Sequence, residues 1–182
     1  MLKFIECDWF LEKRITFHEK LNIVVGDRIN SNSIGKSTLL KVVDFIYGGD
    51  TLITHGKDVA GRLGHHSYKF SLILDRQYFF ERNTGEPAVI IYNDTVAGQV
   101  YRWALSDYLG FLHHHYTPEI TELSFRSIVS PVSRIWGRDN LNVAKPLHSF
   151  VGEKGSQCID YLIKIFNLYG TLSDLSIRLE NL

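Results

Sequence analysis

Residues 21 to 40 read Leu21-Asn22-Ile23-Val24-Val25-Gly26-Asp27-Arg28-Ile29-Asn30-Ser31-Asn32-Ser33-Ile34-Gly35-Lys36-Ser37-Thr38-Leu39-Leu40. Leu21 to Val25 is a near-continuous apolar, β-branched run, the pattern of a strand buried on both faces. A polar stretch without periodicity follows from Asp27 to Ile34. From Lys36 the spacing turns helical, with Leu39, Leu40, Val43, Ile46 and Tyr47 on one face, and Gly48-Gly49 supplies the stop. A strand, a glycine-containing loop and Gly-Lys-Ser-Thr opening a helix is the context in which a phosphate-binding loop is expected.

Each residue type has a physical task there. Backbone N–H groups of the loop and helix start point at phosphates, and the helix dipole favours negative charge at that end. Gly35 lets the backbone come close, Lys36 brings an ammonium to the β- and γ-phosphates, and Thr38 reaches an α-phosphate oxygen. The Ser37 hydroxyl is the expected Mg²⁺ ligand. Asn30, Ser31, Asn32, Ser33, Ile34, Gly35, Lys36, Ser37 and Thr38 are therefore the candidate nucleotide site, for ATP with Mg²⁺. The glycine that opens the usual pattern is replaced by Asn30, the non-glycine residue that best tolerates left-handed angles. The plain alternative is an ordinary helix start.

Outward from this stretch, Leu2–Phe10 and Arg14–His18 read as strands. Residues 50 to 66 read as loop with a short helix or none. Tyr68–Leu74, Gln77–Arg82 and Ala88–Tyr92 read as an antiparallel meander, with Asp75-Arg76 and Asn83–Pro87 as hairpin turns and a further strand at Thr95–Tyr101. Ser106 can cap a helix through Leu112. Ser124–Val129 reads as a strand, and Gln157–Leu182 as mostly helix, broken at Gly170. Leucines at 172, 175, 179 and 182 begin a heptad seam; core packing is the competing reading.

The 182 residues suffice for one full domain. Hydrophobic residues at 45% and charged residues at 22% are ordinary for a soluble globular protein. Lys plus Arg balance Asp plus Glu, so the formal charge is zero, which gives no support for nucleic-acid binding. Cys7 and Cys158 stand in no metal-ligand spacing and read as reduced thiols of a cytoplasmic protein. No stretch fits a signal peptide or a membrane span.

The run through Asn30-Ser31-Asn32-Ser33-Ile34-Gly35-Lys36-Ser37-Thr38-Leu39-Leu40, with Asp44-Phe45-Ile46-Tyr47-Gly48-Gly49 after it, resembles the N-terminal lobe of ATPases related to structural-maintenance-of-chromosomes proteins. The likeness is strongest to the ATPase of bacterial ABC-three-component systems and related anti-phage modules. It also takes in Ser124-Phe125-Arg126-Ser127 and spans about the first 130 residues. What it implies is an α/β fold, a P-loop NTPase of ABC-ATPase head type, with a mixed sheet around the P-loop helix, an antiparallel β layer and a C-terminal helix leading to a coiled coil. Residues 1–156 would be the N-terminal lobe and 157–182 the helical start of the coiled coil.

In such ATPases the signature motif and the Walker B Asp-Glu lie in a C-terminal lobe, and neither motif occurs in this chain. The resemblance thus implies an ATP-binding half-head. Engagement with a second head, a homodimer included, would serve DNA surveillance or anti-phage defence alongside other defence-system subunits and DNA. Hydrolysis would need a C-terminal lobe or partner. No glutamine stands where the family's Q-loop is expected, and Ser127 or Ser130 is the stand-in. Arg14 falls near the family's nucleotide-contacting basic position; a surface arginine is the alternative.

Two further function classes stay open. One is a non-catalytic P-loop scaffold subunit. The other is a self-contained phosphotransferase using Asp75, at the end of Leu72-Ile73-Leu74-Asp75, where a hairpin aspartate is the simpler reading. His113-His114-His115 suggests a metal, although adjacent helical residues point in different directions. Arg126, Arg134 and Arg138 with Trp136 could touch DNA or a partner, against a solvated loop.

Overall fold

The computed structural model describes residues 1–24, 35–55, 62–121, 123–133, 135, 142–150, 152–166 and 168. The chain forms two compact units, Met1–Phe111 and Leu112–Leu182. Among the described residues no helix is long and apolar enough to cross a membrane.

The first unit is built on one sheet. Its strands are β1 (Leu2–Glu6), β2 (Arg14–Thr16), β3 (Ser67–Ile73), β4 (Gln77–Asn83), β5 (Val89–Asp94) and β6 (Gln99–Ala104). They lie in the order β2-β1-β3-β4-β5-β6, each neighbouring pair antiparallel. β3 to β6 make the meander that the turn residues predict. β6 starts at Gln99 rather than at Thr95 for a local reason. The Asp94 carboxylate accepts the N–H groups of Val96 (2.9 Å) and Ala97 (3.0 Å), and Gly98 sits at φ +66°, so this stretch is spent on the turn.

Strand periodicity then sorts the side chains. Tyr68 lies opposite Arg82, Phe70 opposite Phe80 and Leu72 opposite Tyr78, while Phe80 faces Tyr92 and Arg82 faces Ile90. All of these are buried, on one face. β1 joins them through a register shift between Leu2 and Phe4, a bulge that turns both Leu2 and Ile5 inward although they are three apart. Helices α1 (Lys36–Ile46) and α3 (Leu105–Tyr116) supply the rings that cover this face, with α2 (Thr51–Thr54) between them in sequence. Phe45 meets Tyr68 edge-on at 6.0 Å, and Tyr108 meets Phe80 at 5.1 Å and Phe70 at 6.3 Å.

This architecture corrects the expected fold. The P-loop NTPase of ABC-ATPase head type requires a mixed sheet with a parallel core. Among the described residues there is only the six-stranded antiparallel sheet and no parallel pair. The run that was to supply the parallel core strand is not a strand over Leu21–Val24. Leu21, Ile23 and Val24 are 78%, 71% and 49% exposed. Asn22 explains part of this: its side chain accepts the His18 N–H at 2.8 Å and donates to the His18 carbonyl at 2.9 Å. That local turn, with Lys20 at φ +68°, competes with ladder formation. Val25 lies outside the described residues.

In the second unit, α3 ends at Tyr116 and is followed by α4 (Phe125–Val129) and α5 (Gly155–Ile165). The strand expected at Ser124–Val129 is this helix instead. Ser124, at φ −68° and ψ 155°, is its N-cap and accepts the Ser127 N–H at 3.2 Å. α5 starts two residues before the expected Gln157, whose side chain accepts the Lys154 N–H at 3.1 Å. The leucines of the expected heptad, 172 to 182, lie outside the described residues, as does Gly170.

Candidate functional site

The candidate site is the start of α1, and what holds that helix in place is at its other end. Val42, Phe45 and Ile46 are fully buried, whereas Leu40 is half exposed. Of the face expected through Leu39, Leu40, Val43, Ile46 and Tyr47, only Ile46 is fully buried, and the buried stripe is rotated toward Lys41, Val42, Asp44 and Phe45. The Tyr108 hydroxyl donates to the Ile46 carbonyl at 3.0 Å. Beyond Tyr47, Gly48 adopts φ +87°. Its N–H bonds the Phe45 carbonyl at 3.0 Å, and the Gly49 N–H bonds the Asp44 carbonyl at 2.8 Å. This paired closure with a left-handed glycine is a Schellman motif.

Arg82 completes the anchor. It is 2% exposed, yet it lies in the inward register of β4 between aromatic residues. Its guanidinium sits 4.0 Å over the Phe45 ring. It donates to the carbonyls of Phe45, of Gly49 at 3.0 Å, and of Pro87 at 2.6 and 2.8 Å. A buried cation is tolerated when its donors are satisfied, and here the acceptors include carbonyls at the negative end of the helix dipole. Arg82 was not singled out in the sequence; its place two residues after Phe80 in an inward register is the signal that finds it.

At the N-terminal end, Gly35 is the N-cap, at φ +79° and ψ 12°, and the first turn carries no acidic side chain. A Cβ added at Gly35 would meet nothing within 4 Å among the described residues, so the glycine answers to backbone angle. Lys36 is half-buried, and Ser37 and Thr38 are exposed. Gly35, Lys36, Ser37 and Thr38 thus stand together on one accessible helix start. An anion fits here: N–H groups and the dipole point outward, Lys36 adds a cation, and no carboxylate in the turn opposes it. The Ser37 hydroxyl is accessible to a hydrated Mg²⁺. Asn30, Ser31, Asn32, Ser33 and Ile34 lie outside the described residues.

Other predicted residues lie elsewhere. Arg14, on β2, is held by Glu6, with Nε at 2.5 Å from Oε1, and its guanidinium lies 4.3 Å over the Phe4 ring. Asp75 occupies the β3–β4 turn and accepts the Tyr78 hydroxyl at 3.2 Å, as a hairpin aspartate does. His113 Nε2 lies 2.8 Å from the Ile120 carbonyl, and no cluster of three metal-binding side chains occurs among the described residues. Ser127, Ser130 and Arg126 line a cleft in the second unit; Arg134, Trp136 and Arg138 lie outside the described residues.

Two thiols and three phenols titrate above their ordinary values; of these, Tyr92 is raised by burial and by its hydrogen bond to Asp94, partly offset by Arg76. Burial pushes the Cys7 thiol up, partly offset by the Trp9 N–H. Burial also raises Tyr68, helped by the neighbouring Cys7. Cys158 is raised by burial and then by Glu153, and Tyr161 is raised by burial. All five are thus held in the protonated form.

Comparison of the chain with protein families, with curated proteins and with solved structures gives no match.

Proposed function

We propose that this chain binds the polyphosphate of a nucleoside triphosphate, ATP with Mg²⁺, at the start of α1. The observation that carries the proposal is the accessible helix start itself. A left-handed Gly35 opens an 11-residue helix whose first turn contains Lys36, Ser37 and Thr38 and no acid. In this proposal the N–H groups of the first turn and the Lys36 ammonium hold the phosphates, and Thr38 adds a hydroxyl. Ser37 would hold the Mg²⁺ through its hydroxyl; the ion supplies charge neutralisation of the phosphates.

The wider role is proposed from the sequence resemblance alone. It is a cytoplasmic ATP-binding subunit whose nucleotide gates engagement with a second copy or partner, in DNA surveillance or anti-phage defence. Groups that polarise water would come from that partner or from a C-terminal lobe, since no general base is assigned in this chain.

A second reading has a specific observation in its favour. With only antiparallel pairs in the sheet among the described residues, the same helix start can serve a non-catalytic scaffold that binds no nucleotide. The discriminating measurement is titration of a fluorescent ATP analogue with and without Mg²⁺, against the intact chain and Lys36→Ala. Under the proposal the intact chain binds, Mg²⁺ tightens binding, and the variant loses at least about tenfold, the scale of one charge-assisted contact. Absence of binding by the intact chain, or equal binding by the variant, would leave the scaffold.

A further inference from the structure

The second unit carries an open cleft of about 490 Å³, within the roughly 300–1,000 Å³ usual for small-molecule sites. Its walls are α4, α5 and the 147–150 turn, and each is tied to a neighbour. The Tyr161 hydroxyl donates to the Ile128 carbonyl at 2.7 Å, fixing α5 to α4. The Cys158 thiol lies 3.6 Å from His148 Nδ1, fixing α5 to the turn. The Ser149 N–H donates to the Glu153 carboxylate at 2.5 Å. The cleft is therefore pre-formed, which lowers the ordering cost of binding.

Its chemistry is mixed in a specific way. Gln157, Asp160, Tyr161 and Lys164 line it from α5; their spacing of three and four puts them on one stripe. A carboxylate and an ammonium thus stand one helical turn apart on one wall. Arg126 adds a guanidinium from α4, and Leu123, Pro131, Leu147 and Phe150 give an apolar lining. A polyphosphate is disfavoured because Asp160 and Glu153 share the cleft with the cations. A wholly apolar ligand is disfavoured because it would strip water from charged groups and return nothing.

We infer that this cleft binds a small zwitterion with apolar side chains, of amino-acid to dipeptide size. Its carboxylate is directed to Arg126 and Lys164 and its ammonium to Asp160. A guanidinium suits a carboxylate because its planar donors match the two oxygens. The inference is independent of the nucleotide proposal, which concerns other residues in the other unit.

The test uses the 182-residue chain and L-leucyl-L-phenylalanine, with its N-acetyl and C-amide derivatives, in calorimetric titrations. The intact dipeptide is expected to saturate one site, and each charge-blocked derivative to bind at least tenfold more weakly. Asp160→Asn, at an exposed position of α5, should weaken the dipeptide at least tenfold without changing the affinity for the N-acetyl derivative. Should the variant fail to fold, the three ligands on the unaltered chain still decide. No saturable binding of the dipeptide, equal binding of the blocked forms, or an Asp160→Asn variant that binds the dipeptide unchanged would each overturn the assignment.

Discussion

Gly49 shows how a single hydrogen atom in place of a side chain fixes the end of α1. A Cβ there would lie 2.0 Å from Asp44 Oδ2, and Asp44 is 3% exposed, so its carboxylate has little room to yield. Gly49→Ala should therefore cost about 1–3 kcal/mol, as overpacking does, measured by urea denaturation at neutral pH. Combining it with Asp44→Ala should cost less than the sum of the two single changes, because the clash is with that side chain. Arg82→Met tests the neighbouring anchor. It strands the Gly49 and Pro87 carbonyls and removes the cation from Phe45, and should cost at least about 3 kcal/mol; a loss below about 1 kcal/mol would show that water replaces the guanidinium. The glycine pair was readable as a helix stop from sequence. Arg82 was not, because an arginine in a strand is ordinarily assigned to solvent until the register of its neighbours is known.

At the scale of elements, what was legible followed the strength of local signals. The meander was, because alternation and turn residues agree at Asp75-Arg76 and Asn83–Pro87. α1 was legible in extent but not in orientation, since its buried stripe is chosen by Tyr68 and Tyr108 across the core rather than by its own leucines. Leu21–Val24 misled because a β-branched run marks a strand only where neighbouring strands pair with it, and Asn22 offers the backbone a closer partner. Ser124–Val129 misled in the other direction: Ile128 and Val129 favour a strand, but Ser124 caps a helix. Ser124→Ala should accordingly destabilise α4 by about 1 kcal/mol. Hydrogen exchange would read this as lost protection at the Ser127 amide, with the β3 and β4 amides unchanged. Of the candidate site, Gly35 to Thr38 came directly from the sequence. The dipeptide-sized cleft did not, because Arg126 and Asp160 are far apart in sequence and line one cleft only once α4 and α5 pack, as the Tyr161–Ile128 hydrogen bond shows.

Across the whole molecule, both units bury weak acids in their protonated form, and this sets the response to alkali. Cys7 and Cys158 are each 4% exposed, and both thiols are held above their ordinary value of 9.0, chiefly by burial. An acid whose folded value is raised keeps its full contribution to stability below the unfolded value. As pH rises past about 9, the unfolded chain loses these protons first and then binds fewer than the folded chain, so stability falls. The loss continues until the folded thiols also ionise. Its slope is at most about 1.4 kcal/mol per pH unit for each thiol. Tyr68 and Tyr161, raised in the same way, extend it above their ordinary value of 10.0. The thermal midpoint should therefore decline from pH 9 to 10.5. Cys7→Ala with Cys158→Ala lowers the midpoint at neutral pH through lost packing, but should flatten the decline between pH 8.5 and 10. An unchanged slope in the double variant would assign the alkaline loss to general charge repulsion in a chain that starts from zero formal charge, and the thiols would have no part in it.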